Sequence, residues 1–334
     1  MNYIKCKLYK LQSKKQLREW LGINNSSFFR KSNLEKNVFP YIETNKNHQR
    51  LVEVPSDTLK FVQTRILQLL SSLDFPNYLY SGVKGKSYIS NAKQHQGNMF
   101  MYKLDISKFF PNIRREYIYR FYKDKLQTSS DIAEILTNCT TTNLLTASYR
   151  KQEVRDAVLN FVQTNNIQPV SHLTTGSPTS MLLAYLANIP MFKKLENIAQ
   201  EFNLIFTVYA DDIVFSCPNN ISFDTRRKIV NIIESYGYHI SQRKCKYLMP
   251  RATKTITGVV INSQGVITTP NRLMLKAHGK ILQYKKYNLS VRDWQSLRGT
   301  IGVAHLIEKK FSHLINEMKK DVRHEKDDIY IKHQ

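Results

Sequence analysis

Apolar residues recur at helical spacing between residues 56 and 73, where Leu59, Val62, Ile66, Leu69, Leu70 and Leu73 share one face behind Ser56, a residue type that caps helix starts. The pattern predicts an amphipathic helix. A turn-rich stretch, Tyr80-Ser81-Gly82-Val83-Lys84-Gly85-Lys86-Ser87, separates it from an apolar run over Met99–Leu104 that reads as a strand ending on Asp105. Phe109-Phe110-Pro111 breaks that strand, since proline cannot donate to a ladder. A helix is expected over about 114–126, and mainly helical structure over 131–164.

Ser177-Pro178 reads as a helix start, with the apolar run Met181–Leu195 continuing the helix past a kink at Pro190. Two short apolar runs, Leu204–Val208 and Ile213–Ser216, flank Tyr209-Ala210-Asp211-Asp212 and predict a hairpin with acids at its tip. A helix over about 224–236 should end at Gly237, and the chain returns through Tyr238–Ser241 to Lys244. Thr255–Ile261 and Val266–Thr268 predict a second hairpin. Beyond Pro270 the pattern is helical, with Thr269 as one cap and Ser290-Val291-Arg292-Asp293 as a capping box for a second helix. Trp294, Leu297, Ile301 and Leu306 form the expected packed face of that helix, with Gly299 and Gly302 allowing close approach, and Lys319–Gln334 is expected to fray.

Charge changes the picture. Fifty Lys and Arg against 26 Asp and Glu leave a formal charge of +24 on 334 residues. Such an excess repels itself unless a polyanion shares the surface, which points first to nucleic acid, then to an anionic membrane, with a merely lysine-rich protein as the plain alternative. The chain contains no run of 18 apolar residues, and lysines interrupt its first 22 positions, so a cytoplasmic protein with no membrane partner is expected. Cys6, Cys139, Cys217 and Cys245 form no C-x-x-C pair and read as reduced thiols.

Candidate chemistry centres on the acids. Asp211 and Asp212 between two strands can be simple turn residues, because aspartate bonds nearby backbone. Asp105 also closes an apolar strand, however, and two acid-tipped strands can lie side by side in one sheet. Three carboxylates at one sheet edge repel each other, divalent cations offset that repulsion, and a pair of Mg²⁺ ions suits phosphoryl transfer.

Three segments, Leu104-Asp105-Ile106-Ser107-Lys108-Phe109-Phe110, Gly176-Ser177-Pro178-Thr179-Ser180 and Tyr209-Ala210-Asp211-Asp212, resemble in order and spacing the central motifs of reverse transcriptases. Asn91-Ala92-Lys93-Gln94-His95 resembles the N-A-x-x-H signature of the retron type, and Ile256-Thr257-Gly258 its V-T-G element. The matches span roughly residues 50–300. The resemblance implies an α+β right-hand polymerase. Its fingers would lie in residues 1–98, its palm in 99–112 and 171–262, a helical insert in 113–170, and a thumb and tail in 263–334.

It further implies that Asp105, Asp211 and Asp212 are catalytic and hold two Mg²⁺ ions, with Asp212 the more electrostatic of the three, and that Lys244 protonates the leaving pyrophosphate. Arg50, Lys84 and Lys86 would meet the triphosphate of a dNTP, while Tyr209, Gly176 and Phe110 border the substrate. Phe110 excludes a ribose 2′-OH, and Phe109 is core packing. Here Leu173-Thr174-Thr175-Gly176 stands where many relatives show L-P-Q-G, and Thr175 cannot reach as far as glutamine.

Asn91 and His95 would share a helix face toward RNA or an adjacent loop, together with Thr257 and Gly258, and Lys276 and Lys280 would hold the phosphates of an RNA–DNA hybrid. The retron resemblance implies a dedicated structured non-coding RNA as partner, a branched RNA-linked DNA (msDNA) product, and an effector protein from the same locus acting in anti-phage defence. Rival readings are another prokaryotic reverse transcriptase, from a group II intron or a different defence system, and a non-catalytic RNA-binding protein.

Overall fold

The structure is a computed structural model describing residues 1–313 and 316, apart from 46, 47, 98, 168 and 287–289. The expectation for Lys319–Gln334 lies outside the described residues. Residues 1–86, 103–215 and 222–246 form one compact unit, and 87–102, 216–221 and the described part of 247–334 form another.

The chain opens with α1 (Lys14–Leu21), whose first turn is held by Ser13 Oγ accepting the Gln16 N–H, and α2 (Lys31–Glu35). An antiparallel hairpin follows, β1 (Val38–Asn45) and β2 (His48–Pro55), pairing Glu43 with Arg50 and Pro40 with Glu53. Local patterning carries no signal for these elements. In α3 (Asp57–Leu70) the predicted apolar face is buried at Leu59, Val62, Ile66 and Leu70, and Ser56 Oγ accepts the Leu59 N–H at 3.2 Å. The short α4 (Tyr88–Lys93) starts in a reciprocal Ser87–Ser90 capping box.

The strand ending on an acid is β3 (Phe100–Asp105). Phe109-Phe110-Pro111 breaks it as expected and then forms a one-turn helix, α5 (Phe109–Asn112). The next helix, α6 (Arg115–Arg120), runs into a π-type turn over Phe121–Lys125. The stretch expected to be mainly helical holds α7 (Ser130–Thr140) and α8 (Gln152–Thr164), but between them lies β4 (Thr141–Asn143), which pairs with β5 (Ser171–Leu173). That strand exists only through a partner about thirty residues away, which no local period reports.

The helix expected at Ser177-Pro178 begins later, as α9 (Ser180–Ala187). Ser177 Oγ instead accepts the Thr179 N–H at 3.2 Å in a turn ahead of it. Nor does the helix continue through a kink: it breaks at Asn188, and Pro190 sits in the first turn of α10 (Ile189–Glu201), where its missing N–H costs nothing.

The predicted hairpin is present as β6 (Ile205–Tyr209) and β7 (Asp212–Cys217), followed by α11 (Phe223–Ser235) and a left-handed Gly237. With β8 (Lys246–Leu248) these strands form a sheet of order β6-β7-β3-β8, so the two acid-tipped strands are neighbours. The rings of Phe192 and Tyr238 pack edge-on against Phe109, which is 2% exposed, making it the core residue expected.

The second hairpin is a three-stranded meander instead. Thr257 (φ 46°) and Gly258 (φ 87°) both adopt left-handed backbone and fold the expected single strand into β9 (Lys254–Ile256) and β10 (Val259–Ile261), which pairs with β11 (Ile267–Thr268). Thr269 does not cap α12 (Asn271–Lys286): its hydroxyl is buried without a hydrogen bond among the described residues, and its N–H donates to Glu308. Ser290 does cap α13 (Val291–Ile307), accepting the Asp293 N–H at 3.2 Å. Trp294, Leu297 and Ile301 are buried on α13. Leu306 is 63% exposed, Ala304 taking its place in the packing, and no atom among the described residues would lie close to a side chain at Gly299 or Gly302. All four cysteines are free thiols, and no helix among the described residues is long and apolar enough to cross a membrane.

Candidate active site

The acids meet because β3, which ends on Asp105, lies beside β7, which begins on Asp212 just after the turn from β6. Ala210, between Tyr209 and Asp211, is left-handed (φ 57°), a conformation that costs a non-glycine residue roughly 1–2 kcal/mol. The turn is held by Ser81, whose Oγ accepts the Ala210 N–H at 3.0 Å, and by the Asp211 carbonyl, which accepts the Ile106 N–H at 3.0 Å. Asp105 is buried, and its carbonyl accepts the Ser241 N–H at 2.9 Å, which ties the segment leading to Lys244 to the same place.

Lys244 Nζ lies 2.9 and 3.1 Å from the two oxygens of Asp105. Burial pulls the Lys244 pKa down, but the hydrogen bond and charge of Asp105, with the charges of Asp211 and Asp212, outweigh it and leave the ammonium more basic than usual. Asp211 moves the other way from an ordinary carboxylate. Burial first, then the negative charges of Asp105 and Asp212, push its pKa up to about 6.

A second lysine that local patterning did not single out also reaches the cluster: Lys103 Nζ is 3.1 Å from Asp212 Oδ1. Lys103 lies two residues before Asp105, hence on the same face of β3, and that alternation was the available signal. Hard carboxylate oxygens crowded enough to raise one pKa suit a divalent cation. In this arrangement Asp105 and Asp212 are engaged by lysines, and among the described residues no group of three or more His, Cys, Asp or Glu side chains is gathered to hold a metal.

The remaining expected substrate residues lie in the same unit but are engaged differently. Tyr209 ends β6. Phe110 is half-buried beside Phe109, ring centroids 5.9 Å apart. Arg50 is largely exposed on β2 and pairs with Glu43 across the hairpin. Lys84 is exposed, whereas Lys86 donates to the carbonyls of Pro76 and Asn77 at 3.1 and 2.8 Å and sits over the Tyr80 ring, so its ammonium is spent on the fold. Gly176 is needed for a close approach to protein: a Cβ there would lie 2.2 Å from the Glu53 carbonyl oxygen. It also stands four residues before α9 rather than at a helix start.

In the other unit, Asn91 and His95 share no exposed helix face. Both are fully buried, and His95 lies beyond the end of α4. His95 Nδ1 is 2.7 Å from Ser216 Oγ, and burial drives its pKa down to about 3, so the ring is neutral. Neither amide atom of Asn91 has a hydrogen-bond partner among the described residues. Thr257 Oγ1 donates to the Tyr88 carbonyl at 3.1 Å, which joins the Thr257-Gly258 turn to α4, and Gly258 is exposed. Lys276 is exposed on α12, and Lys280 pairs with Asp293 at 3.3 Å.

The profile of the reverse transcriptase (RNA-dependent DNA polymerase) family matches residues 34–282, and the chain belongs to that family. Membership gives the fold class, the right-hand polymerase, and the enzyme class, RNA-directed DNA polymerase. The resemblance to the retron type is also borne out. The chain is 24% identical to the Retron Ec83 reverse transcriptase of Escherichia coli over 78% of its length and 80% of the relative's. It is 25% identical to the Retron Se72 reverse transcriptase of Salmonella heidelberg (58% and 44%) and 26% identical to the Retron Mx65 reverse transcriptase of Myxococcus xanthus (68% and 52%). It thus spans most of the first relative and about half of the other two. Among solved structures it is similar to apo telomerase from Candida tropicalis truncated from its C-terminal domain, at TM-score 0.47 and 12% identity over 71% of this chain and 55% of that one. It is also similar to a foamy viral protease-reverse transcriptase in complex with double-stranded DNA, at TM-score 0.45 and 14% identity over 85% and 38%. The fold assignment rests on the family match.

Proposed function

We propose that this chain is a retron reverse transcriptase that copies a dedicated structured non-coding RNA into RNA-linked single-stranded DNA (msDNA), using Mg²⁺, and that it works with an effector protein from its locus in anti-phage defence. The observation that carries the polymerase chemistry is the meeting of Asp105, Asp211, Asp212 and Lys244 at the ends of neighbouring strands, with Asp211 titrating near 6. The retron part of the reading is supported by the relatives and by the junction of α4 with the Thr257-Gly258 turn.

Asp105 and Asp211 would hold the metal, which when bound supplies the charge that lowers the pKa of the attacking hydroxyl and neutralises the leaving pyrophosphate. Asp212, paired with Lys103, shapes the local potential rather than ligating. Lys244, more basic than usual beside Asp105, stays protonated at neutral pH and would be the proton donor for pyrophosphate. Arg50 on β2 would meet the triphosphate, Tyr209 would border the substrate, and the half-buried Phe110 ring would exclude a ribose 2′-OH. RNA is held by the basic surface that includes Lys276, and sequence-independent phosphate contacts suit a hybrid duplex.

The test is primer extension on an RNA template with dNTPs and Mg²⁺, run beside extraction of nucleic acid from protein purified out of its native locus. DNA synthesis lost in Asp211→Asn, together with a discrete single-stranded DNA that shortens or shifts after RNase, is the expected result. RNA alone in both the wild-type and Asp211→Asn extracts removes the retron reading and leaves a reverse transcriptase that uses an external primer, or a non-catalytic binder.

A further inference from the structure

The turn leading toward α9 is bound to a buried charged cluster that the chemistry above does not use. Glu53 on β2 and His172 on β5 are both fully buried, with His172 Nε2 3.1 Å from Glu53 Oε1. His172 Nδ1 lies 3.0 Å from the Pro169 carbonyl oxygen. Carbonyl and carboxylate oxygens only accept, so with an ionised Glu53 both ring nitrogens must donate and His172 is an imidazolium. Burial opposes that charge, but the charge and hydrogen bond of Glu53 and the Pro169 carbonyl outweigh it and raise the His172 pKa. The neighbouring Tyr149 hydroxyl, pushed up to about 12 by burial and then by the Glu53 charge, senses the same anion.

The second oxygen of Glu53, Oε2, accepts the Thr175 N–H at 2.7 Å. In return the Glu53 N–H donates to Thr175 Oγ1 at 3.1 Å, and that hydroxyl donates to the Leu51 carbonyl at 3.2 Å. Gly176 lets the turn lie directly on the Glu53 backbone. Both polar groups of residue 175 that could face a nucleotide, its hydroxyl and its N–H, are therefore spent on β2. The same strand carries Arg50, in a sheet of only two strands, and an isolated two-stranded hairpin is marginally stable without an anchor. An apolar anchor is present as well, since Leu51 and Ile42 join a cluster with Leu144, Val158, Phe161 and Ile167. That cluster can keep the hairpin folded when a polar contact is removed.

We propose that Glu53 and His172 are positioning residues whose buried ion pair, acting through Thr175, latches the Thr175–Gly176 turn to the strand carrying Arg50 and so sets the affinity for the incoming deoxynucleoside triphosphate. The latch replaces what a longer side chain at position 175 would do by direct contact. It rests on the reading of Arg50 and Gly176 as the nucleotide side of the site.

The test is steady-state extension of a primed RNA template with the dNTP concentration varied, comparing wild type with Thr175→Val, Thr175→Ser and Glu53→Gln. Thr175→Val keeps the shape but cannot accept from Glu53, and it should raise KM for dNTP about tenfold with kcat within about twofold. Thr175→Ser retains the hydroxyl and should restore the wild-type KM. Glu53→Gln keeps an oxygen for the Thr175 N–H but loses the charge, and should raise KM about fivefold. If Thr175→Val does not fold, a folded Glu53→Gln decides the matter. A KM within twofold of wild type in either folded, active variant overturns the latch. A wild-type chain that makes no DNA from RNA overturns the functional reading, and the nucleotide role of the latch with it.

Discussion

Two charged clusters in the same unit of this molecule, one fully buried and one only partly so, behave in opposite ways. Around Glu53 and His172, both carboxylate oxygens and both ring nitrogens are hydrogen-bonded, and each charge faces its opposite. Around Asp211, burial is compounded by two more carboxylates, and the lysines present engage Asp105 and Asp212 instead. The first arrangement is complete, so it can only hold shape. The second is short of positive charge, and a cation-dependent reaction needs such a shortage.

The largest expected difference is in catalysis. Asp211→Asn should cut DNA synthesis by about a thousandfold or more while RNA affinity stays within about twofold, because the side chain keeps its size but loses its charge. Stability should move the opposite way. The folded pKa of Asp211, about 6, lies above its unfolded value, so the proton favours the folded state and ionisation at pH 7 costs stability. In metal-free buffer at pH 7 the Asn variant should therefore unfold about 2 kcal/mol later by urea titration, a gain that shrinks as pH falls toward 4. A variant that is less stable than wild type would break the contrast.

At the completed cluster the sign reverses. Glu53→Ala strands a buried imidazolium and should lose about 3–5 kcal/mol in the same urea titration. A loss under 1 kcal/mol would mean that the pair is not ionised. Next in size is substrate choice: Phe110→Ala should raise ribonucleotide incorporation relative to dNTP at least about tenfold, read by competition on one RNA template.

Smaller effects sharpen the comparison. Lys103→Met removes a cation beside Asp212 and should lower the Mg²⁺ concentration giving half-maximal synthesis by about threefold, since the acids then attract a divalent ion more strongly. An unchanged Mg²⁺ midpoint would remove Lys103 from the site. The His172 pKa is raised in the fold, so its contribution to stability is complete below its unfolded pKa and is lost as pH rises through the folded value. Thermal unfolding should show stability declining as pH rises above 6.5 in wild type, a decline absent from His172→Gln.

How much of this was legible in the sequence follows the range of the interactions. The β6–β7 hairpin, α3 and the α11–Gly237 turn are carried by local periods and caps, and they lie where patterning puts them. Asp105, Asp211, Asp212 and Lys244 come together as the motif spacing implies. What patterning missed depends on distant partners. The β1–β2 hairpin is half polar, and its Glu53 meets a histidine 119 positions away. Thr257 in a left-handed turn breaks a run whose composition reads as one strand, because β-branched residues seldom adopt that backbone. Asn91 and His95 look like a surface face by their polarity, yet they are buried.

The central claim is that the acids at the ends of β3 and β7 make DNA on an RNA template. The most direct measurement is extension of a primer annealed to RNA by the purified full chain, with dNTPs and Mg²⁺, beside Asp211→Asn prepared identically. The account predicts templated DNA from wild type and none from the variant. Equal extension by both proteins, or none by wild type while RNA is bound tightly, would contradict it.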